Sequence, residues 1–162
     1  MRTASSSTNP WKVILIAGLL AGTLDILAAC TKFYIDTGRN PDIVLKYIAS
    51  AVFGRKDAYA GGIVMSAWGL FFHYLISFGL AAFFVFLYRR WPLVSKNIVV
   101  SGLLYGIFAW IITTKVIVPL SKLGWQPFNI EKAVIPILIL MFMIGLPIAL
   151  VTKKFYPRPA GT

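Results

Sequence analysis

Hydrophobic residues in this chain gather into four long runs, at about residues 11–34, 61–88, 97–120 and 133–151, with polar and basic residues between them. A helix needs about 20 apolar residues to cross a hydrocarbon core of about 30 Å. Backbone that faces lipid must satisfy its own hydrogen bonds, so each run predicts a transmembrane helix. Trp11, Tyr34, Tyr59, Tyr88, Trp91, Trp125 and Tyr156 fall at the run ends, the placement expected of an interfacial aromatic belt. A shorter pattern lies between the first two runs. Asn40-Pro41-Asp42 reads as a helix N-cap, a proline in the first helical position and an acid in the first turn. Ile43, Val44, Tyr47, Ile48, Ala51 and Val52 then recur at helical spacing, and Gly54 is a natural stop. This predicts an amphipathic helix over about 41–53 that lies on the outer face of the membrane or packs over the outer end of the bundle. A gate over a cavity is its alternative role.

Composition turns this pattern into a fold class. Of 162 residues, 59% are hydrophobic and 13% charged, against about 25% charged in ordinary soluble domains. A soluble fold of this size could not hide so much apolar surface. The expectation is an all-α integral membrane bundle of four transmembrane helices, forming a single domain over 11–156. A disordered polar tail is expected at 1–10 and a C-terminal tail at 157–162. The formal net charge is +11, yet Lys and Arg flank the apolar runs and form no basic face with interleaved aromatics, so nucleic-acid binding is not expected. The basic turn Arg89-Arg90-Trp91-Pro92 and the pair Lys153-Lys154 place both termini in the cytoplasm by the positive-inside rule. The single cysteine, Cys30, cannot form an internal disulfide. Leu27-Ala28-Ala29-Cys30 has the look of a lipoprotein cleavage box. Asp25 interrupts the preceding apolar region, which is longer than the usual 7–15 or so residues of a signal, so the first span is expected to be retained.

Small residues mark the faces along which membrane helices approach each other. Gly18 and Gly22 form one such pair and Gly102 and Gly106 another, while Gly69 continues a stripe on the second span. Ala17-Gly18-Leu19-Leu20-Ala21-Gly22 also aligns with Ser101-Gly102-Leu103-Leu104-Tyr105-Gly106, the signature of two parallel-repeat hairpins. Asp25 and His73 lie on these packing stripes. At 1.5 Å per residue they sit roughly 20 Å and 23 Å from the inner boundary, so the two can meet in the outer half of the bilayer. A charge in the membrane interior costs at least about 2.5–3.5 kcal/mol, so such residues have a partner or a purpose. The candidate intramembrane polar cluster is therefore Asp25, His73, Ser77, Thr113 and Lys115. Lys115, roughly 27 Å up its helix, can instead snorkel to the headgroups. Pro119, Pro136 and Pro147 interrupt spans three and four and should bend them.

No phosphate loop, dinucleotide fingerprint, zinc motif or nucleophile elbow is present. No enzyme activity, catalytic residue, metal or cofactor is expected. The pattern His73-xxx-Ser77-xxx-Ala81, a basic turn with Pro92, then Gly102-xx-Tyr105-Gly106 and Val118-Pro119-Leu120, resembles the YagU-like small inner-membrane proteins of bacteria. The resemblance covers roughly residues 73–120 and a Gly/Ala-rich first span. It implies a four-span protein of the bacterial inner membrane and carries no activity with it; Asp25 and Lys115 stand outside the residues that make it. Two functions remain open. One is transport of, or response to, a small solute or protons through the Asp25–His73 pair, with Ser77 and Thr113 as polar lining. The other is a structural or accessory subunit in which the same residues lock helices together. The expected partners are the lipid bilayer and either a second copy of the chain or another membrane protein.

Overall fold

The computed structural model describes residues 9–127 and 129–157, so most of both expected tails lies outside the described residues. Every regular element among them is helical. Helix α1 spans Pro10–Thr37, α2 Asp42–Phe53, α3 Arg55–Ala60, α4 Gly62–Arg90 and α5 Pro92–Lys96. The third span, α6, covers Ile98–Leu120 and the fourth, α7, covers Ile130–Phe155. Among the described residues, α1, α4, α6 and α7 are long and apolar enough to cross a membrane. An even number of spans leaves both termini at one end of the bundle. The other end is called distal below.

Helix boundaries follow from local chemistry. The Oδ1 atoms of Asn9, Asn97 and Asn129 accept from the amides of Trp11, Val100 and Lys132 at 3.0, 3.2 and 3.1 Å. Three of the spans thus begin with an asparagine satisfying an otherwise orphaned donor, a contribution of about 1 kcal/mol each. The Asn129 cap starts α7 three residues before the Ala133 expected from hydropathy, and takes Glu131 and Lys132 into its first turn. Gly38, at φ 65°, ends α1 in the left-handed conformation. Asn40 Oδ1 accepts from Asp42 N at 3.1 Å, the N-cap geometry read from Asn40-Pro41-Asp42, although regular helix begins one residue later. Gly54, at φ 88°, ends α2. The short helices α3 and α5 carry no periodic apolar stripe and were not foreseen.

Packing divides the molecule into two hairpins. Helix α1 lies along α4, with Gly18 and Gly22 facing Phe78, Tyr74 and Ser77. Helix α6 lies along α7, with Gly102 and Gly106 facing Gly145, Leu146 and Met141. The Gly18–Gly22 and Gly102–Gly106 pairs therefore each seat the next span of their own hairpin. The hairpins join where α1 packs on α7. On the other side α4 meets α6 through aromatic side chains: Phe84 packs edge-on against Tyr105 at 4.9 Å, Phe83 stacks on Phe108, and the Tyr105 hydroxyl donates to Leu80 O at 2.6 Å. Towards the termini, Tyr88 donates to Tyr156 O at 2.9 Å. Tyr88 is 1% exposed, so it is a core residue and not a member of the expected aromatic belt. Trp11, Tyr34, Tyr59, Trp91 and Trp125 are exposed.

Spans α6 and α7 each contain a widened π-helical turn, at Ile112–Ile117 and Leu140–Gly145. A proline follows each turn by two residues, Pro119 and Pro147. Proline lacks an amide hydrogen and its ring crowds the carbonyl four residues back. A turn with one extra residue relieves that crowding and keeps the helix continuous. The interruptions expected at Pro119 and Pro147 therefore take the form of π turns, Pro136 sits within regular α-helix, and α6 continues to Leu120.

Candidate functional site

Helix α2 packs along the distal half of α4. Gly69 permits this: a Cβ there would collide with the Leu45 carbonyl oxygen. Phe53 clamps the end of α2 between Trp68 and Phe72, with ring centroids at 5.8 and 6.0 Å. The loop after α6 closes over it. Lys122 N donates to Ala51 O at 2.9 Å, and Arg55 Nη2 donates to Gln126 Oε1 at 3.4 Å. Ser50, at the back of α2, is fully buried and satisfies its hydroxyl on Tyr47 O at 2.6 Å.

Beneath α2 lies a partly enclosed chamber of about 260 Å³. Its roof is Val44, Tyr47, Ile48 and Ala51 of α2, together with Leu123. Asp25 and Ala29 of α1 form one wall, and His73, Ile76, Ser77 and Leu80 of α4 another. The remaining walls come from the π turns and their flanks: Thr113, Ile117 and Val118 on α6, and Leu140 and Ile144 on α7. Both widened turns thus present side chains to the same space. Asp25, His73, Ser77 and Thr113, four of the five residues of the expected cluster, line this chamber. Lys115 is exposed and is not among its lining residues. Thr113 and Lys115 are two residues apart and so point to different faces of α6.

The polar groups of the chamber are engaged to different degrees. His73 Nε2 lies 2.8 Å from Gly22 O. A carbonyl only accepts, so Nε2 carries the proton and donates it. Ser77 Oγ donates to Gly18 O at 2.8 Å. Both side chains of α4 thus hold carbonyls of α1 at its glycine positions. Thr113 Oγ1 donates to Ala109 O in its own helix at 2.8 Å. Asp25 differs: its Oδ1 is buried and makes no hydrogen bond. Burial raises the pKa of Tyr47 on the roof, the nearby Arg55 opposing the shift and Tyr59 adding to it, so this phenol is neutral at physiological pH.

A second, more open cleft of about 300 Å³ adjoins the chamber. Asp25, Ala29, Val44 and Leu140 line both spaces. The cleft runs past Phe33 and Pro136 to Lys32 and Asp36, which form an ion pair one turn apart on α1. Asp25 therefore stands on the boundary between the chamber and a path towards the distal surface. Sequence reasoning missed Tyr47 and Ala51 as lining residues. The apolar periodicity of α2 gave their face, but nothing in the sequence told which helix that face meets. Among the described residues no group of three or more His, Cys, Asp or Glu side chains could hold a metal ion.

These features define a class: a helical bundle with four helices of membrane-crossing length, a roofed chamber and one unsatisfied acid on the chamber wall. Comparison with known proteins finds no matching family model, no similar curated protein and no similar solved structure.

Proposed function

We propose that this protein moves a small solute or protons across a membrane by way of the chamber, with Asp25 as the group that takes up and releases a proton. The observation that carries this reading is the position of Asp25. A carboxyl group with a buried, unbonded oxygen lines both an interior space and the cleft that leads away from it. An ionisable residue at such depth is costly and points to use. The titratable groups around it are His73 on α4, Tyr47 on α2, and Lys32 and Asp36 on its own helix. His73 is a basic side chain on another wall of the same chamber. Liposomes containing the purified chain and a trapped pH dye test the reading. After a pH jump, with the membrane potential clamped, wild type is expected to dissipate the gradient well above protein-free vesicles. Asp25→Asn is expected to fall to the vesicle baseline. Wild type at that baseline would overturn the proposal.

A specific observation favours a second reading. The hydrogen bonds of His73 and Ser77 to Gly22 O and Gly18 O are those of a helix clasp, as in an accessory subunit. Interhelical hydrogen bonds in membranes average about 0.6 kcal/mol. On this reading, gradient dissipation is absent and His73→Ala affects stability alone.

The same proposal extends to location. The likeness to YagU-like proteins and the basic residues Arg89, Arg90, Lys153 and Lys154 near the terminal end of the bundle support a bacterial inner membrane with cytoplasmic termini. In a Cys30→Ser background, Asp57→Cys in intact cells is expected to react with an impermeant thiol reagent, and Lys96→Cys only after permeabilisation. Labelling of both positions in intact cells would overturn the four-span orientation.

A further inference from the structure

The chemistry of the chamber narrows what it can hold. Its volume is about 260 Å³. An apolar cavity of about 150 Å³ takes up benzene, so by simple scaling this one accommodates about ten non-hydrogen atoms. Most of its walls are aliphatic: Val44, Ile48, Ile76, Leu80, Ile117 and Ile144. Ser77 and Thr113 already spend their hydroxyl protons on backbone carbonyls, and His73 spends its Nε2 proton in the same way. These groups have little donor capacity left for an anionic guest. The acceptor capacity is concentrated in Asp25, whose Oδ1 receives no hydrogen bond. The lysine one turn past Ala29, Lys32, is committed to Asp36. An ionised carboxylate in a low-dielectric space is stabilised most by a cation that also donates hydrogen bonds. A wholly apolar guest would leave the Oδ1 of Asp25 without a hydrogen-bond donor, and an anionic guest would repel the carboxylate.

We propose that the chamber binds a protonated amine with a compact apolar body, its ammonium group set against Asp25 and its hydrocarbon part under the α2 roof. The cleft from Lys32 and Asp36 to Asp25 is the entry path, and its shared wall brings the cation to the carboxylate first. This inference rests on the chamber being a solute site, and it names the class of solute.

The test uses the full chain in lipid nanodiscs and three probes of similar size and shape: 2-phenylethylamine, 2-phenylethanol and 3-phenylpropionate. Thermal unfolding, followed by tryptophan fluorescence, reads binding as a concentration-dependent rise in midpoint. The amine is expected to stabilise the wild type at concentrations about tenfold below the alcohol, and the acid to have no effect. Asp25→Asn is expected to bring amine and alcohol level. Ala51→Phe, which fills the chamber from its roof, is expected to abolish the effect of both. Equal binding of amine and alcohol to wild type, or an amine preference that survives in Asp25→Asn, would overturn the amine assignment while leaving the chamber as a solute site. Stabilisation by the amine that persists in Ala51→Phe would place binding elsewhere and overturn the inference. So would the absence of any response, and gradient dissipation in liposomes would then judge the proton-handling role on its own.

Discussion

Replacing Gly106 with alanine is expected to lower the thermal stability of the protein more than any other single-methyl addition on α6. A Cβ at this position would collide with the Met141 Cα atom and lie 2.6 Å from Leu140 O and 2.7 Å from Met141 N. Each of these is a backbone atom, so no side-chain rotation clears the space. The contact is reciprocal, since a Cβ on Gly145 would meet Gly102 O and lie 2.5 Å from Gly106 N. Lipid tails are as apolar as the side chains they replace, so close backbone approach is what holds α6 to α7. Alanine favours helix over glycine by about 1 kcal/mol, but forced overpacking costs typically about 1–3 kcal/mol and sometimes more. The steric loss is expected to win, and the unfolding midpoint in detergent to fall. Gly79→Ala is the control: a Cβ there meets nothing within 4 Å, so this variant should match or exceed wild type. A Gly106→Ala protein as stable as Gly79→Ala would refute the seam described here.

The second large effect is expected at Gly69. An added Cβ would strike the Leu45 carbonyl oxygen and lie 2.6 Å from its carbon, again with only backbone to yield. This time the element that must move is α2, a short helix whose far end is held by Phe53 between Trp68 and Phe72 and by the Lys122–Ala51 backbone bond. Gly69→Ala should therefore lift α2 and open the chamber without separating the spans. Hydrogen exchange in nanodiscs is the direct measure. Amides of residues 43–53 are expected to exchange at least about tenfold faster, equivalent to about 1.4 kcal/mol of local opening, while the middle of α4 keeps its protection. Unchanged exchange over α2 would show that the roof has slack the structure does not reveal.

The spans were legible in the sequence because lipid imposes one requirement that any long apolar run must meet. Their ends were less so at α7, where the Asn129 cap sets a start three residues ahead of the apolar run and hydropathy does not register a side-chain acceptor. The stripe from Gly69 through His73 to Ser77 was readable for the same reason as the spans: small and polar residues at helical spacing have nowhere to go but a protein interface. The convergence of Asp25, His73, Ser77 and Thr113 on one chamber was partly readable, from helix rise alone. Lys115 falls outside the chamber, as its alternative reading allowed, because residues two apart on a helix point to different faces and Thr113 takes the inward one. The roof was the least legible feature. The Ile43–Val52 periodicity specifies an apolar face, but only the absent side chain of Gly69, far along the chain, decides where that face docks.

The two π turns have one further consequence. An extra residue in a turn offsets everything beyond it by about 100° around the helix axis relative to an uninterrupted coil. Beyond Ile117 on α6 and beyond Gly145 on α7, the lettering of inward and outward positions starts afresh. Each span is in effect two phased rods spliced end to end, and the splice plane passes through the wall of the chamber. A chain shortened by a single residue at either splice would close the wide turn into ordinary α-helix and leave both rods facing as they do now, whereas the same deletion in the regular part of either rod would turn the lining beyond it away from the chamber.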